Sequence, residues 1–266
     1  MKLQIVPARS GLQWVKSGMR TFMRQPMALA GLFLMFMGLM SMLAIVPYVG
    51  NLAALALMPA ATLGLMAATR EAINGRFPTP TIMLSAFRAG RQQLRAMLIL
   101  GALYAVGILL ILGISATADG GKFARMYLFG GEITAEGFFD AQFETAVLVA
   151  LVLYMPMSML FWHAPALVHW HGVPPVKSLF FSLVACLRNF GAFAVYNLSW
   201  MAVVIGLGML VAIPASLLDN PENISLLMFP LTLLMAAMYF TSIYFSFQDC
   251  FQADAQDSSP AAPGQA

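Results

Sequence analysis

Charge is scarce in this chain: Asp, Glu, Lys and Arg make up 9% of its residues, against about 25% in a soluble domain. A water-soluble fold could not cover its surface with so few. Cysteine is nearly absent. The two thiols, Cys186 and Cys250, fall near predicted cytoplasmic helix ends, which excludes a disulfide framework. Histidine occurs three times, as His163, His169 and His171. Basic residues stand beside apolar runs rather than on an aromatic-studded soluble face, so nucleic acid is not an expected partner. No recognisable catalytic, cofactor or transport motif is present.

Apolar residues fill the space left by charge, at 61% of the chain and a mean hydropathy of +0.81. A bilayer span needs about 20 mostly apolar residues. Six stretches qualify, at 27–46, 52–69, 96–117, 146–168, 192–218 and 225–247, and none contains Lys, Arg, Asp or Glu. The basic region before the first stretch reaches Arg24, and the stretch is long enough to span, so it reads as a helix rather than a cleavable leader.

Twelve of the fourteen Lys and Arg residues fall, by parity, on one side. The other side holds Lys122 and Arg125 among seven acids. The basic side should be cytoplasmic, which places both termini in the cytoplasm of a bacterial inner membrane. An odd number of spans would destroy this alternation. The expected fold is all-α: a polytopic bundle of six transmembrane helices forming three hairpin-like repeats, each preceded by a cytoplasmic interfacial helix. Residues 1–252 form a single membrane domain, and 253–266 read as a disordered polar tail.

The repeats are placed at 10–78, 79–175 and 176–250. Their second helices carry Met58-Pro59, Met155-Pro156 and Phe229-Pro230. Gly75 and Gly172 each follow the first two prolines by sixteen residues, Pro78 and Pro175 by nineteen, and Arg91 and Arg188 lie thirteen further on. The first interfacial helix sets Leu12, Val15, Met19, Phe22 and Met23 against Gln13, Lys16, Ser17, Arg20 and Arg24, with Ser10 as its expected N-cap. The second sets Met83, Ala86, Phe87 and Leu94 against Arg88, Arg91, Gln92 and Arg95. Such helices lie in the headgroup plane.

Residues Val6-Pro7-Ala8-Arg9-Ser10-Gly11-Leu12-Gln13-Trp14-Val15-Lys16, Arg24-Gln25-Pro26, Ala67-Ala68-Thr69-Arg70-Glu71 and Gly75-Arg76-Phe77-Pro78-Thr79-Pro80 resemble a family of bacterial multi-pass inner-membrane proteins described as hypothetical transmembrane proteins. The resemblance covers most of the chain. It implies fold and location, and no catalytic residue. More distantly, the repeated arrangement is similar to the membrane domain attached to some glycerophosphodiester phosphodiesterases. Nothing here matches their hydrolytic part.

Among candidate sites, His163 is the one ionisable side chain expected near mid-membrane, where such groups are functional candidates. His169 and His171 could chelate one ion only from a loop, because i and i+2 do not share a helix face. The 21 methionines read as flexible apolar filler rather than a Cu(I) path. Glu132, Glu136, Asp140 and Glu144 recur every four residues and read as a solvated face, with a bridging divalent cation as the sharper alternative. Small residues at Ala60, Gly64 and Ala68, and at Gly101 and Ala105, suit close helix contact. Arg88, Arg91 and Arg95 are the candidates for holding anionic headgroups at the cytoplasmic face. The expected function is a non-catalytic membrane protein that organises lipid or a membrane partner, with a protein partner or a homo-oligomer both open. No cofactor is implied. A small-solute or ion transporter is the alternative, using Thr62, Ser158, His163, Asn197 and Ser199. A lipid enzyme using Glu71, His169 and His171 stands behind it.

Overall fold

The computed structural model describes the backbone of residues 2–130, 140–217 and 221–252, and the side chains of 2–130, 140–211 and 228–251. The acidic positions Glu132 and Glu136 and the polar tail lie outside the described residues. Among the described residues, six helical segments are long and apolar enough to cross a membrane: Pro26–Ala44, Val49–Ile73, Arg91–Asp119, Ala141–His171, Phe190–Val211 and Met228–Cys250. The chain is an all-α bundle of six spanning segments.

The helices are α1 (Ser10–Arg24), α2 (Pro26–Ala44), α3 (Val49–Ile73), α4 (Ser85–Arg88, after a 3-10 turn at Pro80–Leu84), α5 (Arg91–Asp119), α6 (Lys122–Phe129), α7 (Ala141–Phe161), α8 (Ala164–His171), α9 (Pro175–Arg188), α10 (Phe190–Leu217) and α11 (Pro221–Cys250). Two short strands, β1 (Lys2–Leu3) and β2 (Phe251–Gln252), pair antiparallel and bring the two chain ends to the same face of the bundle. That face is the terminal end below, and the opposite one the distal end. The α2–α3 hairpin turns within Ile45–Tyr48, where Tyr48 adopts a φ of +61°.

Local chemistry explains the breaks. The fourth span is not one helix. Pro165 opens α8 and can give no N–H to residue 161, so the ladder stops at Trp162 and His163. The N–H of His163 goes instead to Ser182 Oγ at 2.9 Å. Gly90, with a φ of +106°, separates α4 from α5. The expected second interfacial helix is therefore split there. Arg91 and Arg95 belong to the first turns of the spanning α5, and Arg88 ends α4. Gly75 and Gly172 both follow helix ends with positive φ, at +73° and +63°, as left-handed C-terminal glycines do.

α1 also departs from expectation. Ser10 is its first residue rather than its cap, and Arg9 precedes it. Its buried face is Gly11, Trp14, Val15, Gly18, Thr21 and Phe22, set along α11 and across α10. Leu12 and Met23 stay exposed, beside Lys16, Arg20 and Arg24. The face turns because glycine allows closer approach than leucine: a Cβ on Gly11 would stand 2.1 Å from the Ala192 carbonyl oxygen, and one on Gly18 would stand 2.4 Å from Ser242 Cβ. Gly101 approaches Ala56 of α3 in the same way, so that small-residue contact is intramolecular. α3 reaches all three apolar clusters of the core.

Candidate functional site

Asn189, buried between α9 and α10, ties the terminal end together. Its Oδ1 accepts the Val6 N–H at 2.8 Å, and its Nδ2 donates to Gln4 O at 3.0 Å and Ala185 O at 3.1 Å. Trp14 donates its indole N–H to Asp249 at 2.7 Å. Sequence reading passed over Asn189, because a lone asparagine at a helix junction carries no pattern.

A cleft of about 410 Å³ lies on this end, between the start of α5 and the α8–α9 turn. One rim is polar, with Gln92, Gln93 and Arg95; Ala96, Ile99 and Val168 supply an apolar wall, and Gly172 to Pro175 close it. α9 begins at Pro175, so its partly positive N-terminus borders the cleft. Arg88, Arg91 and Arg95 are all exposed and have no carboxylate partner among the described residues. The ion pair described at this end is Arg76 to Glu71, at 3.0 Å. Arg70 instead covers the Trp170 ring, 5.7 Å from its centroid. Gln92 was legible only as part of a polar helix face and Gln93 not at all, because a glutamine pair is unremarkable until the cleft is placed beside it.

The histidines do not converge. His169 and His171 lie within α8, not in a loop, so the helix points them apart and chelation of one ion by the pair is lost. His163 is fully buried at the α7–α8 break, its ring against Phe193, Phe247 and Phe251. Neither of its ring nitrogens has a hydrogen-bond partner among the described residues. Among the described residues, no group of three His, Cys, Asp or Glu side chains is placed to hold a metal ion. Glu71 is engaged by Arg76. Thr62, Ser158 and Asn197 meet at one mid-bundle crevice. Ser199 donates to Val195 O within its own helix.

The two cysteines are free and buried. Burial pushes the Cys186 thiol up, with Cys250 nearby adding to the effect. At the distal end, Lys122 Nζ donates to Asp140 at 2.9 Å, and the Gln142 N–H bonds the same carboxylate, which caps α7. These contacts, the Lys122 hydrogen bond first, hold the Asp140 carboxyl below the usual carboxylate range.

A probable inner membrane protein of Burkholderia thailandensis is 36% identical over 266 residues, covering 99% of this chain and 97% of the relative. The chain belongs to this family of inner membrane proteins. It is a multi-pass inner membrane protein, and its six spanning segments agree with that location. No protein-family model and no solved structure matches the chain significantly.

Proposed function

We propose that this inner membrane protein is non-catalytic and gathers anionic phospholipid at its terminal end, with that end facing the cytoplasm. The cleft beside Arg95 carries the reading. Its two chemistries match the two halves of a phospholipid: a guanidinium and two carboxamides for phosphate oxygens, and Ile99 and Val168 for the start of an acyl chain. Guanidinium suits phosphate because its planar fork matches the oxygens in pairs. Arg88 and Arg91, without carboxylate partners among the described residues, extend the positive field. Glu71 is engaged by Arg76, and His169 and His171 point to different sides of α8, which favours this reading over a lipid enzyme.

Each basic group near an anionic leaflet contributes about 1 kcal/mol, so neutralising three removes about 3 kcal/mol, roughly a hundredfold in affinity. The test places wild type and the Arg88→Gln, Arg91→Gln, Arg95→Gln triple variant in nanodiscs holding both phosphatidylglycerol and phosphatidylcholine. Paramagnetic resonance of each spin-labelled lipid then gives the fraction held at the protein surface. Wild type should prefer phosphatidylglycerol and the variant should not. An unchanged preference in a folded triple variant would overturn the proposal.

A further inference from the structure

The mid-bundle crevice has a volume of about 280 Å³, the space of roughly nine waters at about 30 Å³ each. Tyr104, Ser158 and Tyr239 lie on its wall and close to the midpoints of the spans Arg91–Asp119, Ala141–His171 and Met228–Cys250. The crevice therefore sits near the middle of the membrane. Among the described residues, α7 packs mainly on α5 and α9. Its meeting with α10 and α11 gathers at one end, around Met159 and the Trp162 that follows it. The Trp162 ring meets Phe193, Tyr196 and Tyr239, its N–H donates to Ser246 Oγ at 3.0 Å, and a seam is left beyond them. That seam leaves Tyr154, on the crevice wall, 42% exposed, so the bilayer has access.

The lining defines the ligand by what it offers and what it lacks. Thr62 and Ser158 give their hydroxyl protons to Met58 O at 3.0 Å and Met155 O at 2.7 Å, which leaves their oxygens as acceptors. Asn197 gives one amide proton to Phe193 O at 2.8 Å, which leaves the second proton and its carbonyl oxygen. Tyr154 and Tyr239 bring hydroxyls. Six of the twelve lining residues are aromatic, and none is Asp, Glu, Lys, Arg or His. An ionic ligand would find no counter-charge here, at a steep desolvation cost. An acyl chain would leave the second Asn197 amide proton, the Asn197 carbonyl oxygen and the spare hydroxyl acceptors unused. A flat ring with carbonyl or hydroxyl substituents satisfies both demands, lying against the aromatic wall while bonding to the polar groups.

We propose that this crevice is a binding site for a neutral, hydrogen-bonding ring compound that enters from the bilayer between α7 and the α10–α11 pair. It is independent of the lipid cleft at the terminal end. The test uses the full chain in nanodiscs and two photoactivatable probes of equal length, a phenolic diazirine and an aliphatic diazirine, with labelled residues located by peptide mass spectrometry. The phenolic probe should label the crevice-lining peptides of α7 and α11 saturably, and unlabelled phenol should compete. Asn197→Leu and Tyr239→Phe should each lower that labelling about fivefold, the worth of one hydrogen bond. Tyr239→Phe keeps the ring and so guards against simple misfolding. Non-saturable labelling, equal labelling by the aliphatic probe, or labelling unchanged in both variants would each overturn the site and mark the crevice as a lipid-filled seam.

Discussion

The two halves of α10 are treated differently by the rest of the molecule. Toward the terminal end, Ala192, Phe193, Tyr196 and Trp200 are buried against α1, α11 and Trp162. From Met201 to Val211 no residue is buried. The contrast extends to whole helices: 61% of the most apolar stretch of α3 is buried, and 11% of that of α10. Both are equally at home in lipid, so hydropathy cannot be what separates them. Inside a bilayer, apolar surface alone gives helices little reason to associate, and close approach and hydrogen bonds decide. The terminal end has both, in Gly11, Gly18, Asn189 and the Trp14–Asp249 pair. Among the described residues, the stretch from Met201 to Val211 has neither.

The strongest way to break this comparison is to put the same bulk on both halves. Gly11→Leu drives a side chain into the α10 backbone at Ala192 and should cost about 3 kcal/mol, displacing α1. Gly206→Leu meets nothing within 4 Å and should stay within about 0.5 kcal/mol of wild type. Thermal unfolding in nanodiscs, followed by tryptophan fluorescence, separates the two; equal losses would end the comparison. Next in size, Asn189→Leu removes the partners of Gln4 and Val6 and should cost about 2 kcal/mol, because the Val6 N–H and Gln4 carbonyl lose their partner. Protease access to residues 2–9 should rise in that variant while the remaining helices keep their protection.

Thiol chemistry sharpens the same point with a smaller effect. Cys186 is buried, and its raised thiol holds little thiolate near neutral pH. Maleimide should leave it unmodified in intact membranes and react with it once the terminal end is unfolded. Early modification in the wild type would show that the terminal end opens on its own. The smallest effect belongs to the distal end. The folded carboxyl of Asp140 is held below its unfolded value of about 3.9, so its contribution is present above that value and fades as pH falls through the lower folded value. Asp140→Asn should lower the melting temperature slightly at pH 7. The difference should shrink as pH is taken below about 4, because the wild-type carboxylate then loses its own charge.

The six spans were legible because about 20 apolar residues is a length the bilayer itself imposes. Helix breaks were less so. Pro165 broke the fourth span and Pro59 did not break α3, and what separates them is Ser182, which accepts the stranded His163 N–H from far along the chain. The α1 face was misread for a similar reason. A hydrophobicity count favours Leu12 and Met23, while the docked face is chosen by the space that Gly11 and Gly18 leave for α10 and α11. Arg88, Arg91 and Arg95 were legible as basic residues beside a span. The cleft beside Arg95 was not, because Val168 and the Gly172 to Pro175 turn come from a distant part of the chain.

The central claim is that the terminal end is a preformed platform for anionic lipid. Native mass spectrometry of the wild type and of Arg95→Gln, each released from its own membrane in lipid-preserving discs, tests it most directly. The account predicts anionic phospholipid retained on the wild type and largely lost from Arg95→Gln, with both proteins folded. Equal retention on both proteins, or a wild type that carries zwitterionic and anionic lipid in the proportions of the surrounding membrane, would contradict it.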